Sequence, residues 1–134
     1  MRCISVRQPL ASLIVQGHKR LELRSWRTTY TGVLAIHASL NVYKGEVYLP
    51  RDYVDRDQVR GAILGTVKLE GCRETAEGDD ERAAVAAGDF RYAWVLSEPF
   101  MLSSPIPLVG RLSLFKLPID IETKLRTSIG ESPL

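Results

Sequence analysis

The sequence predicts a mainly β domain with helices, an α+β chain of five or six short strands around one core, and three observations predict it. Apolar residues recur at every second position in several short runs, glycine and proline punctuate those runs, and helical spacing is confined to short stretches. The 134 residues, 45% hydrophobic and 25% charged, have the composition of a folded domain. A chain of that length buries roughly two-thirds of its unfolded surface, so its core needs neither disulfide nor metal.

The elements follow in order. Residues 2–7 alternate loosely as a strand, after which Pro9 suits a first helical turn and Gly17 a C-terminal cap. In the short helix between them, Leu10, Leu13 and Ile14 share an inward face, with Ser12 and Gln16 nearer solvent. Residues 19–26 form a half-buried strand with Leu21 and Leu23 on one side and Arg20, Glu22, Arg24 and Trp26 on the other. Lys19 has the wrong parity for that polar side and joins it only if the helix-to-strand junction bends. Tyr30-Thr31-Gly32 makes a turn into an apolar strand from Val33 to Ala38.

Residues 40–60, with Pro50, scattered charges and three tyrosines, read as a long loop with room for one helical turn. A strand from Gly61 to Cys72 comes next, with Gly65 where the sheet bends or a backbone approaches. The acidic run from Glu74 to Glu81, leading to Gly88, has the order of a capped helix and reads as a solvated excursion. Phe90, Tyr92, Trp94 and Leu96 alternate as core residues of another strand. A last strand spans 112–117, so the domain is expected over 1–118, followed by a tail over 119–134 with room for one short helix.

Composition also excludes functions. Cys3 and Cys72 form no C-x-x-C pair and only His18 and His37 could join them, so reduced thiols, no metal and no cofactor are expected. Charge interrupts the N-terminus too early for a secretory segment and no apolar run reaches spanning length, so no membrane partner and a cytoplasmic location are expected. The net charge of +2 does not by itself imply a polyanion partner.

Its distribution says more. Between Arg7 and Ser39 the chain gathers Arg7, Gln8, Lys19, Arg20, Glu22, Arg24, Trp26, Arg27, Tyr30 and His37, many on strands or strand ends. Cations for phosphates, π faces for stacking and fixed polar groups for base edges are what RNA, single-stranded DNA or a nucleotide-like ligand requires. Each residue has a plainer reading. Arg20, Glu22 and Arg24 suit a solvated salt-bridged face, Trp26 and Tyr30 can close a barrel end, and His37 suits a hydrogen-bonded wall.

The run Ile4-Ser5-Val6-Arg7-Gln8-Pro9-Leu10-Ala11, the spacing G-x-K-x-x-E-x-R-x-W from Gly17 to Trp26, and Gly32 to Ser39 together resemble the activating signal cointegrator homology (ASCH) domain of the PUA-like superfamily. Gly61 to Gly65, Tyr92-Ala93-Trp94 and Pro105-Ile106-Pro107 with Gly110 continue the likeness over nearly the whole chain. The resemblance implies a PUA-like β-barrel with a short N-terminal helix beside a cleft, and roles in RNA binding, RNA processing or transcription coregulation. It places Lys19, Glu22 and Arg24 in the cleft with Gln8 and Trp26 flanking. Leu10 stands where many relatives carry Trp, and Ser113 where Gly is common. One branch of the superfamily hydrolyses acetylated cytidine with a Lys and a Thr three positions later; here Glu22 holds that place.

Three readings follow. The favoured one is a binding module in which Arg7, Lys19 and Arg24 meet phosphates, Trp26 or Tyr30 stacks a base, Glu22 orders the cations, and Gln8 and His37 complete the site. The second is a metal-independent hydrolase of RNA or a modified nucleoside with Lys19 and Glu22 catalytic. The third is a protein-interaction domain of a regulatory complex.

Overall fold

The computed structural model describes residues 1–86, 88 and 90–130. The chain runs β1 (Arg2–Gln8), α1 (Leu10–Val15), β2 (Leu21–Arg24), β3 (Gly32–Val42), β4 (Ala62–Glu74), α2 (Asp79–Ala83), β5 (Tyr92–Pro107), β6 (Leu114–Lys116) and α3 (Ile119–Ser128). The strands form one six-stranded sheet in the order β2-β5-β4-β3-β1-β6. β1 and β3 run parallel, which α1 and β2 make possible as the crossover between them. All other pairings are antiparallel.

Strand alternation sends side chains to two cores. Ile4 and Val6 of β1 and Leu34, Ile36 and Ala38 of β3 enter the larger core with α1, whereas Cys3 and Ala35 enter a smaller one that Phe115, Leu117 and Leu125 close from outside. This two-sided burial is why residues 33–38 read as a continuous apolar run. At the β4–β5 pairing the strands come so close that a Cβ on Gly65 would lie 1.9 Å from the Phe100 carbonyl oxygen, so no larger residue fits there.

The sheet curls without closing. β6 pairs with β1 only at Arg2, Cys3 and Ile4, which leaves the β1 edge from Ser5 onward without a strand neighbour. β2, at the other end of the sheet, pairs only with β5. The two bare edges meet in space, because the Arg24 guanidinium donates a 3.0 Å hydrogen bond to the Ser5 carbonyl oxygen. A seam bridged by a side chain therefore replaces the missing ladder.

Several expectations need correction. β6 is shorter than the predicted strand over 112–117, because Ser113 adopts a left-handed backbone (φ 64°) and Leu112 lies 94% exposed. That conformation suits glycine best, so a serine there carries backbone strain. α1 is buried on every side, Ser12 included, because residues 43–59 pack over the face read as solvent-directed. Gln16 pairs twice with the Val54 backbone, accepting from its N–H at 3.0 Å and donating to its carbonyl at 2.8 Å. Residues 43–60 contain turns but no helical turn.

The acidic segment is not a solvated excursion. α2 has five residues, and its last, Ala83, enters the larger core together with Ala84 and Val85 behind it. Asp79 is buried, held by both terminal nitrogens of Arg73 at 2.9 Å and by the Ala76 N–H at 2.7 Å. Of the four aromatic-strand positions, Trp94 and Leu96 are buried and Tyr92 half-buried, but Phe90 precedes β5 and is exposed.

Candidate functional site

The seam between β1 and β2 opens into a cleft of about 460 Å³. Arg7, Lys19, Glu22 and Arg24 all border it. Each is placed by a local feature. Gly17, at φ 84°, ends α1 by donating its N–H to the Ile14 carbonyl, and the N–H groups of His18 and Lys19 then both reach back to the Leu13 carbonyl. That bend is the one Lys19 needs to join the side of β2 that carries Glu22 and Arg24.

The three charges form a chain. The Lys19 ammonium lies 3.5 Å from Glu22 Oε1, while Arg24 donates from Nε at 2.9 Å and from a terminal nitrogen at 2.7 Å to Glu22 Oε2. Lys19 also donates a 2.6 Å hydrogen bond to the Ala83 carbonyl. The end of α2 is thereby satisfied carbonyl by carbonyl: Arg82 accepts from the Arg20 N–H, Ala83 from Lys19 and Ala84 from the Tyr48 N–H. Lys19 is 1% exposed, so it caps α2 and balances Glu22 beneath the cleft surface, while the half-buried Arg24 reaches that surface.

Titration follows from this packing. Burial pushes the Glu22 carboxyl up, but the Arg24 and Lys19 charges and hydrogen bonds outweigh it and hold the group below the usual carboxylate range. Burial lowers the Lys19 ammonium against the attraction of Glu22. Arg7 and Arg111 complete the cationic lining, and neither forms an ion pair among the described residues. Glu22 is the single carboxylate among the described lining residues. Tyr43 and Phe90 add two rings to the wall, Phe90 40% exposed.

The remaining expected residues lie outside this lining. Gln8 is fully buried: its Oε1 accepts from the Ser12 N–H at 3.0 Å, and its Nε2 donates to the carbonyls of Arg56 at 3.2 Å and Val59 at 2.9 Å. It ties α1 to the long loop. Trp26 packs edge-on against Trp94 with ring centroids 4.7 Å apart, and Tyr30 donates its hydroxyl to the Val33 carbonyl. Both close the end of the larger core. His37 sits between Ser5 Oγ, 2.9 Å from Nδ1, and the Leu108 carbonyl, 2.6 Å from Nε2, under a neighbouring groove.

Sequence reasoning missed Tyr43, Phe90, Arg111 and Ser113, which reach the cleft from the end of β3, the approach to β5 and the loop before β6. Arg111 in a Gly-Arg-Leu-Ser turn was the available signal. Ser113 stood out only as a departure from the family's glycine, and Tyr43 and Phe90 gave no signal, because only the curl of the sheet brings them to the seam.

Among the described residues no helix is long and apolar enough to cross a membrane. The pattern of the ASCH domain matches residues 4–106. Activating signal cointegrator 1 of Homo sapiens is 28% identical over 132 aligned residues, covering 86% of this chain and 22% of that protein. The Mus musculus protein of that name is 27% identical with the same coverage, so the chain spans about a fifth of these relatives. Among solved structures, ASCH from Zymomonas mobilis superposes with a TM-score of 0.66 at 18% identity, covering 94% of this chain and 93% of that one. A serine-to-alanine mutant of it gives 0.63 at 17% identity, covering 94% of each chain. These likenesses show the fold, a PUA-like one whose six-stranded sheet is left open at the seam. The family match spans residues 4–106, most of the chain, and the chain therefore belongs to the ASCH domain family.

Proposed function

We propose that the seam cleft binds a single-stranded nucleic acid, RNA foremost, through its phosphates and bases. The observation that carries this reading is the charge arrangement: Arg7, Arg24 and Arg111 converge on one concavity whose sole described carboxylate is already occupied by two cations. Guanidinium groups suit phosphate oxygens because they donate in a fixed fork, and a recessed site strengthens the attraction. Tyr43 and Phe90 offer ring faces to a base. Lys19 and Glu22 act from below, Glu22 orienting Arg24 and Lys19 fixing α2 and Glu22.

A hydrolase with Glu22 as general base has less support. The Arg24 hydrogen bonds and the Lys19 charge hold the group below the usual carboxylate range, whereas a general base needs a pKa near the working pH.

The test is binding of a fluorescent single-stranded RNA across a salt series. For single strands the slope of log affinity against log salt is about 0.7 per phosphate contact, so Arg7→Ala or Arg111→Ala should each weaken binding and reduce the slope by about that amount. An affinity indifferent to salt and to both substitutions overturns the proposal.

A further inference from the structure

A second groove of about 870 Å³ adjoins the cleft and shares Ser5, Ser39, Asn41, Arg111 and Leu112 with it. Both volumes fall within the roughly 300–1,000 Å³ of small-ligand pockets. The second groove differs in chemistry. Its rim carries Leu40, 73% exposed, Val109, 87% exposed, and Leu112, 94% exposed, and Arg111 is its one charged residue among those described. Aliphatic side chains left in water beside a cationic cleft suit the flat face of a base better than a phosphate.

The boundary between the two halves has a defined polarity. The Leu108 carbonyl can only accept, so His37 Nε2 carries a proton and donates to it. Burial holds His37 below the ordinary imidazole range, so the ring is neutral and Nδ1 keeps a lone pair. Ser5 Oγ must then donate its proton to Nδ1, and only its lone pairs remain for anything bound above. The arrangement is held tightly, since a Cβ on Gly110 would lie 2.7 Å from both Ser5 Oγ and His37 Cε1.

We infer that the two grooves form one track for a single-stranded chain of at least two nucleotides, in which the first nucleotide occupies the cationic cleft, the connecting phosphate meets Arg111, and the next base lies on the Leu40–Val109 rim. Ser5 at the junction accepts a hydrogen bond from a donor on that chain, a ribose hydroxyl or an exocyclic amine. This rests on the function proposed above and deepens it.

The experiment measures affinities of cytidine 5′-monophosphate and of oligocytidylates of two and four residues at one salt concentration, for the wild type and the double variant Leu40→Ser/Val109→Ser. Both sites are exposed, so folding is preserved, as a circular dichroism melt would verify. The expected result is a rise of about tenfold or more from one residue to two or four. In the double variant and in Ser5→Ala that gain should shrink several-fold. Equal affinity for all three probes overturns the two-nucleotide track while leaving the cationic cleft intact. A length gain untouched by the double variant moves the second nucleotide elsewhere and also overturns it. No binding at any length removes both proposals.

Discussion

Two buried carboxylates, Glu22 and Asp79, each grip a guanidinium from their own neighbourhood, yet one borders a cleft and the other does not. Asp79 meets both terminal nitrogens of Arg73 and the Ala76 N–H, a closed arrangement of one anion and one cation that locks α2 to β4. Glu22 is shared between Lys19 and Arg24, and Arg24 continues to the Ser5 carbonyl across the seam. The first site ends where its hydrogen bonds end. The second leaves surplus positive charge facing a concavity, which is what the proposed binding site requires and a structural clasp lacks.

Each carboxylate can be neutralised separately. The largest effect is expected from Glu22→Gln, which strips the counter-charge from the buried Lys19 ammonium and loosens Arg24; the loss should be about 3–5 kcal/mol in urea unfolding. Asp79→Asn should cost less, about 1–2 kcal/mol by the same measurement, because Arg73 is partly exposed and water can replace part of the pair. RNA affinity should be unchanged in Asp79→Asn under conditions where the variant is folded.

Acid sharpens the contrast. The hydrogen bonds from Arg73 foremost hold Asp79 at about 2, below its ordinary 3.8, so its contribution is complete above the ordinary value and lost as pH falls towards the folded one. The stability gap between wild type and Asp79→Asn should therefore be flat above about pH 4 and narrow as pH approaches 2. Glu22 is lowered in the same direction, so its contribution too disappears on acidification. A gap that widens on acidification would contradict these signs. The smallest effect on stability belongs to Arg7→Ala and Arg111→Ala, within about 0.5 kcal/mol in a thermal melt, although both should weaken RNA binding.

Much of the fold was legible because strand alternation, Gly17 and Gly65 act locally. The grouping of Lys19, Glu22 and Arg24 was legible only in part: strand alternation put Glu22 and Arg24 on one face and the resemblance added Lys19, whereas the bend after Gly17 that brings Lys19 to them is a tertiary detail the sequence left open. What escaped depended on tertiary contact. Gln8, Trp26 and Tyr30 are the polar and aromatic residues a ligand needs, but buried backbone carbonyls and a second tryptophan claim them first. The segment around α2 looked solvated because its charges dominate the sequence, while the three residues that bury it are small and apolar. Arg111 and Phe90 belong to no regular element, so no periodicity marks them.

Occupancy of the β1–β2 seam by a nucleic acid strand is the proposal on which the rest depends. Isotope-labelled protein titrated with a short single-stranded RNA reports this residue by residue through amide chemical shifts. The largest shifts are expected at Arg7, Arg24, Tyr43 and Arg111, saturating together, with only small ones around Asp79. Saturating RNA that perturbs α2 or α3 and leaves those four residues unmoved would contradict it.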